Sequence, residues 1–244
     1  MRLVQLTDCH LFSEPDQTGY AGIAPYAGFK RCLQMAVGSK PDALLITGDI
    51  SGDDSQASYR HFIALLARYA AHLPFKVIAG NHDNNPYFNS LLAAHTLGAG
   101  QPWLIANWAL HGLDTRFMAG QGRVKPHELN ALRHAMQQHH HRHHLLALHH
   151  HPVSSHSWMD RHCLTNTDYL WRQLAGQPVR LMVHGHLHHT VANRHQQLTT
   201  LGAPSTCWQW ALQPTFAQAH QAAGIRILDL AADGSWQTHI RRVK

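Results

Sequence analysis

The stretch FKVIAGNHD, residues 75–83, joins a short apolar run to a glycine and three side chains able to bind metals or move protons. By composition, Gly-Asn-His-Asp is expected about 0.003 times in such a chain, against about once for Asp-x-His and about 2.5 times for His-x-His. The four-residue tip therefore carries the weight, and the weaker pairs count only through their positions. The same pattern recurs outward from it. RLVQL leads into TDCH (7–10), ALLI into TGDI (47–50), LLA into LHHHP (148–152) and RLMV into HGHLH (184–188). In α/β sheets, ligands bind in the crevice beyond the carboxyl ends of the strands. Five polar tips bearing Asp, Asn and His thus point to one shared site.

Between the tips the hydrophobic period changes from 2 to 3.6. Phe29, Cys32, Leu33, Ala36 and Val37 form one helical stripe, and Tyr59, Phe62, Ile63, Leu66 and Ala70 form a second. A shorter helical piece is expected near YFNSLLAAH, followed by the strands WLIA and WALHGLD. Pro126 reads as the first-turn proline of a helix carrying Leu129, Leu132 and Met136. A short helix around DYLWRQL separates the strands LLALH and VRLMVHG. Beyond residue 190 the helical period vanishes: QQLTTLGAPST, GIRILDLA and SWQTHIRRV are strand-like, with Ala232-Asp-Gly234 as a hairpin turn. Strand–helix alternation followed by a strand-rich tail predicts an α/β fold of layered mixed sheets. With no internal repeat or linker, residues 1–244 are expected to form a single domain.

The net charge of +6 arises largely from a shortage of glutamate, Glu14 and Glu128 being the only two. The basic residues are scattered, so no nucleic-acid partner is expected. No apolar run approaches the ~20 residues of a membrane-spanning helix, and no basic leader precedes the first strand. Cys9, Cys32, Cys163 and Cys207 are widely spaced and read as reduced thiols. Together these features predict a cytoplasmic protein without a membrane partner.

Asp8 and His10 are two apart at a strand end, and His186 and His188 repeat that spacing; strand alternation would turn each pair to one face. Asp49 and Asn81 follow Gly48 and Gly80, which would let the backbone turn sharply. Oxygen and imidazole donors without thiolate suit Fe, Mn or Zn. Seven candidates exceed the needs of one catalytic ion, so two ions sharing Asp49 is the economical reading. Alternation lets only one of His149 and His150 face the site.

TDCHL, GDISGDDS, GNHD, HHHP and GHLH, in this order, resemble the calcineurin-like metallophosphoesterases. TDCHLF, SWMD (157–160) and APSTCWQW (203–210) extend the likeness toward the bacterial class III 3′,5′-cyclic-AMP phosphodiesterases. The resemblance implies a four-layer α/β/β/α sandwich of two mixed sheets flanked by helices, with a dinuclear centre at the strand tips. Asp8, His10 and His188 would hold the first ion, Asn81, His186 and His149 the second, and Asp49 would bridge. The first histidine of the family's His-His-x-Pro tip is His149, with His150 the fallback. His82 would assist the phosphate and leaving oxygen, and Asp83 would orient its ring. Asn81, His82, His188 and Trp158 are the expected substrate contacts.

The implied reaction is metal-dependent hydrolysis of cyclic AMP to 5′-AMP by a hydroxide bridging two ions, Fe and/or Mn, or alternatively Zn. The same centre could instead serve a 2′,3′-cyclic nucleotide, a glycerophosphodiester or a nucleotide lipid; a non-catalytic binding protein would show broken tips. The small-molecule nucleotide is the expected partner, and a homodimer through the strand-rich tail stays open. Cys207 and Trp208 are expected to be structural. His61, His72, His95, His111, His127, His134, His220 and His239 read as surface residues or satisfied partners, and His189 as a bystander. HHHRHH (139–144) reads as an exposed helix end and loop, and His184 as facing away from the site.

Overall fold

The apolar runs become strands and the 3.6-period stripes become helices because each buries its apolar side against another layer. A computed structural model describes all residues, 1–244. The order is β1 (Arg2–Leu6), α1 (Pro25–Gly38), β2 (Ala43–Thr47), α2 (Gln56–Tyr69), β3 (Phe75–Ile78), α3 (Pro86–Leu92), β4 (Trp103–Ile105) and β5 (Trp108–Gly112). A small hairpin, β6 (Arg116–Met118) and β7 (Gln121–Gly122), precedes α4 (Pro126–Gln138), β8 (His143–Ala147), α5 (Thr167–Leu174) and β9 (Val179–His184). The tail holds β10 (Val191–His195), β11 (Leu198–Gly202), β12 (Gln209–Trp210), β13 (Gln218–Ala219), β14 (Gly224–Leu230) and β15 (Trp236–Arg242).

One sheet has the order β15-β14-β1-β2-β3, the other β10-β11-β9-β8-β5-β4. β1, β2 and β3 run parallel, as do β5, β8, β9 and β11, while β4, β10, β14 and β15 add antiparallel pairs. Both sheets are therefore mixed, and their parallel strands deliver their carboxyl ends to the same edge of the molecule.

Alternation along each strand divides the core into three sheets of contact. Val4, Leu6, Leu44 and Ile46 face outward onto Phe29, Leu33 and Phe62 of α1 and α2. Leu3, Ala43 and Leu45 face inward against Leu145, Ala147, Leu181 and Val183 of the opposite sheet. Leu146, Leu148 and Met182 face outward again, onto Leu129, Leu132 and Leu170 of α4 and α5. The result is the four-layer α/β/β/α sandwich. No helix is long and apolar enough to cross a membrane.

The histidine-rich stretch divides differently from the sequence reading. Only His140 and His141 are exposed; β8 begins at His143, and His144 is fully buried. His144 points to the α4 side of its strand, where its Nδ1 lies 2.9 Å from Nε2 of the equally buried His111. Pairing two imidazoles satisfies one nitrogen of each, which is how a strand of this polarity enters the core.

Glu128 sits in the first turn of α4, where the helix dipole favours an anion, yet one of its carboxylate oxygens is buried without a partner. Burial pushes its carboxyl up from 4.5 to about 7, against the opposing pull of Lys125. A group raised in this way favours the fold below 4.5 and loses that contribution as pH rises through 7. Glu128→Gln should therefore match the parent's Tm near pH 4.5 and exceed it above pH 7, a gap readable by calorimetry across that range.

Candidate metal centre

The strands stop before the chemistry begins. β1 ends at Leu6, β2 at Thr47, β3 at Ile78, β8 at Ala147 and β9 at His184, so every candidate ligand lies two to four residues beyond its strand. Asp8, His10, Asp49, His186 and His188 all have left-handed backbones, with φ of 53°, 46°, 53°, 69° and 44°. Strand alternation thus does not aim the Asp8/His10 and His186/His188 pairs. A left-handed residue reverses the chain locally, and doing so at both ends of each pair turns both side chains inward. Non-glycine residues reach this region at a cost, and they cluster where function requires them.

Main-chain bonds hold these turns together: Asp8 N–H donates to the Gly48 carbonyl and His10 N–H to the Asp49 carbonyl, both at 3.0 Å. Gly48 does use a positive φ, 98°. Gly80 does not, its backbone being extended; it is needed for space, because a Cβ there would stand 2.1 Å from Asp49 Oδ1.

The turns bring together Asp8 with His10 and His188, and Asp49 with His149 and His186, each group with its donor atoms within 4.8 Å of one another. Asp49 lies between the groups, its Oδ2 3.3 Å from His149 Nε2 and 3.6 Å from His10 Nε2. Asp8 Oδ1 is 3.4 Å from His188 Nε2, which itself faces His10 Nε2 at 3.0 Å. Asn81 joins them through a buried Oδ1 that has no hydrogen-bond partner.

Outer contacts aim the rings. His149 Nδ1–H donates to the Thr47 carbonyl at 2.7 Å, His188 Nδ1–H to that of Trp208 at 2.9 Å, and His186 Nε2–H to that of His162 at 2.9 Å. The opposite nitrogen of each ring is thereby left facing the centre, the usual way a protein fixes a metal-binding tautomer. His150 differs: its Nδ1 meets Thr115 Oγ1 at 2.7 Å, and its ring stands at 89° to that of His149.

Burial opposes the charges on Asp8 and Asp49, but neighbouring histidines outweigh it and hold both carboxyls below the usual range. Burial also drives His10 down to about 3, with His82 adding to it, and pushes His186 well below its ordinary value, helped by His150 and His149. His149 rises to about 9, since Asp49 and Asp8 overcome its burial. The site is thus a buried set of carboxylates and imidazoles in which Asn81 Oδ1 and His149 Nε2 have no hydrogen-bond partner. That donor chemistry fits two hard or borderline cations. Unmet polar atoms of this kind are otherwise expensive to bury.

His82 is exposed at the mouth, its ring edge-on to that of His10 at 4.8 Å and its backbone N–H donating to Asp49 Oδ1 at 2.9 Å. Asp83, expected to orient His82, does something else. Its carboxylate is fully buried and accepts from Gly80 N, Ile50 N and Ser51 N, and from Tyr59 Oη at 2.7 Å. With its oxygens taken up by these donors, it clips the Gly-Asn-His-Asp turn to the neighbouring tip. Burial and then the nearby Asp49 raise its carboxyl to about 6.

A cavity of about 920 Å³ opens over the centre, lined by His10, Asp49, Asn81, His82, His186 and His188, with Trp158 on its wall. Two wall residues carry more than the structural role read from the sequence, or none was read. Trp208 stacks on His10 at 5.2 Å, and Trp210 stacks on His188 at 5.1 Å. Nothing in the local pattern APSTCWQW marks Trp208 as a ring partner of His10, near the other end of the chain, or Trp210 as one of His188. His184 and His189 stay outside the centre, bonded to the carbonyls of Gly185 and Trp210.

The calcineurin-like phosphoesterase family profile matches residues 1–190. The chain is 35% identical to the 3′,5′-cyclic adenosine monophosphate phosphodiesterase CpdA of Pseudomonas aeruginosa, over 99% of this chain and 89% of that one. It is 33% identical to CpdA of Vibrio vulnificus, over 100% and 90%. A 3′,5′-cyclic-nucleotide phosphodiesterase of Nostoc shares 32% identity over 99% and 92%. Among solved structures, a dimetal phosphatase from Danio rerio superposes with a TM-score of 0.66 at 15% identity, covering 93% of this chain and 94% of that one. With the profile running through every polar tip described above, this chain belongs to the calcineurin-like phosphoesterase family.

Proposed function

We propose that residues 1–244 act as one catalytic unit that hydrolyses 3′,5′-cyclic AMP to 5′-AMP in the cytoplasm with two bound cations, Fe and/or Mn. The observation that carries this reading is the convergence of Asp8, His10, Asp49, His149, His186 and His188, with the unpartnered Asn81 Oδ1 beside them. Support for the substrate comes from the full-length likeness to phosphodiesterases named for cyclic AMP.

Asp8, His10 and His188 would hold one ion, Asn81, His149 and His186 the other, with Asp49 shared. A bound pair of ions supplies Lewis acidity toward the phosphate and a water that ionises near neutral pH. Around it the chain's own groups do the rest. The amide of Asn81 and the rings of His82 and His188 face the phosphate. His82, held by its backbone bond to Asp49 and free at its ring, donates a proton to the 3′ oxygen as the P–O3′ bond breaks. Trp158, its Nε1–H fixed to the Ala211 carbonyl at 3.2 Å, offers an aromatic wall to the nucleoside. Asp83 serves by positioning the turn.

A panel of cyclic AMP, cyclic GMP, 2′,3′-cyclic AMP and a phosphomonoester, with Mn or Fe supplied, tests the substrate. Preferred turnover of cyclic AMP is expected, and equal turnover of all the diesters would reduce the reading to a general phosphodiesterase. Asp49→Ala should lose bound metal and at least about a thousandfold in kcat, because both ions share that carboxylate.

His82 and Asp83, adjacent in sequence, should separate cleanly. His82→Ala should keep its Tm and lose roughly a hundredfold or more in kcat. Asp83→Ala strands three buried main-chain donors and should cost about 3 kcal/mol or more of stability in denaturant titration.

A further inference from the structure

His82 is not the only histidine that reaches the cavity without belonging to the ligand set. His162 lines it as well, half-buried, at the end of the one-turn helix Trp158–His162. Its ring centroid lies 6.5 Å from that of His186, and its nitrogens have no hydrogen-bond partner within the protein. The ring is set in place from two sides. The ring of Trp158 stands edge-on to it at 6.1 Å, and a Cβ at Gly120 would come within 2.6 Å of its Nδ1, so that glycine leaves the imidazole its room.

The turn that carries His162 is held at several points along its five residues, of which Arg161 alone is exposed. Ser157 Oγ caps it by accepting from Met159 N–H at 3.2 Å. Asp160 accepts from His151 Nε2 at 3.2 Å, Ser154 Oγ at 2.6 Å, and Ser155 N and Oγ at 2.8 Å each. Trp158 N–H donates to the Gln213 carbonyl at 2.9 Å. Finally, the His162 carbonyl holds the ligand His186. Residues 158 and 162, at the two ends of this 3-10 helix, both line the cavity. A ring kept only for filling space would not need unbonded nitrogens at the cavity wall beside the candidate ligands.

We propose that His162 is a further substrate-contacting residue: its ring N–H donates a hydrogen bond to a phosphate oxygen of the bound diester. It does so from the flank of His186, whereas His82 stands beside His10. The inference rests on the reading that a phosphate binds at this centre, and not on which nucleoside it carries.

The metal-loaded protein and its His162→Ala, His162→Phe and His162→Gln variants test this by titration calorimetry with inorganic phosphate, alongside metal content, Tm and the KM and kcat for cyclic AMP. A lost hydrogen bond to a charged group predicts roughly tenfold or greater weakening of phosphate binding in the Ala and Phe variants. The Gln variant, which keeps a donor, should recover most of it. Metal content and Tm should hold in all three, because the group that fixes His186 is main-chain. Phosphate binding unchanged in the Ala or Phe variant would overturn the contact. So would equal loss in all three, or loss that follows falling metal content, which would mark His162 as a support for His186. Absence of cyclic-AMP turnover by the parent protein would count against the substrate assignment alone, since phosphate binding is read independently.

Discussion

The hydrogen bond from His149 Nδ1 to the Thr47 carbonyl, 2.7 Å, joins the tip of one sheet to the tip of the other, and the centre depends on that seam. Two sheets packed face to face ordinarily meet through apolar side chains, as these do through Leu3, Leu45, Leu145 and Leu181. Toward the carboxyl ends the contact turns polar. Gln5 Nε2 donates both to Thr47 Oγ1 at 2.9 Å and to the His184 carbonyl at 3.0 Å, and His186 N–H donates to the Asp8 carboxylate at 3.0 Å. Each bond satisfies one side of a buried group and leaves the other side pointing into the gap. In a low-dielectric seam, fully paired networks are stable and partly paired ones are costly. Two unmet atoms of the seam, Asn81 Oδ1 and His149 Nε2, lie where cations would complete them.

Asp49 and Asp83 show how partners, rather than residue type, assign a role. Both carboxylates are buried within one pair of adjacent turns. Asp83 faces three main-chain N–H groups and a tyrosine hydroxyl, so its lone pairs are occupied and it acts as a rivet between turns. Asp49 accepts one main-chain N–H at Oδ1 and turns Oδ2 to two imidazole nitrogens. One carboxylate is closed to ligands and its neighbour is open. In sequence they are Gly-Asp-Ile and His-Asp-Asn, and nothing in those triplets distinguishes the closed one from the open one.

That contrast marks the boundary of what was legible. The layers were legible, because period 2 and period 3.6 follow directly from which side of an element is buried. The polar tips were legible, because Gly-Asn-His-Asp is rare by composition and the commoner pairs repeat its place after an apolar run. Conformation beyond the strand ends was not. The inward aim of Asp8, His10, His186 and His188 comes from left-handed backbones that no local pattern announces. His144 was misplaced because a polar run masks a strand when its histidine finds a partner 33 residues away. His162 carried no signal, since its place depends on Gly120 and His186 meeting it in space.

Trp208 and Trp210 show that orienting the candidate ligands and shaping the pocket are one problem. Trp208 and Trp210 stack on His10 and His188 from outside, limiting ring tilt, while the Trp208 carbonyl fixes the tautomer of His188. Trp210 also packs edge-on against Tyr20 at 4.9 Å and Trp158 at 5.6 Å, and those rings reach the rim of the cavity. Tyr20, with Trp208, Trp210 and Phe216 as ring neighbours, stays 48% exposed there, so one face of it is open to the cavity. The rings that orient two candidate ligands are therefore continuous with the rings a substrate would meet. Displacing these rings would alter imidazole geometry and pocket shape together, and the pairing of β12 with β13 holds Trp210 in place.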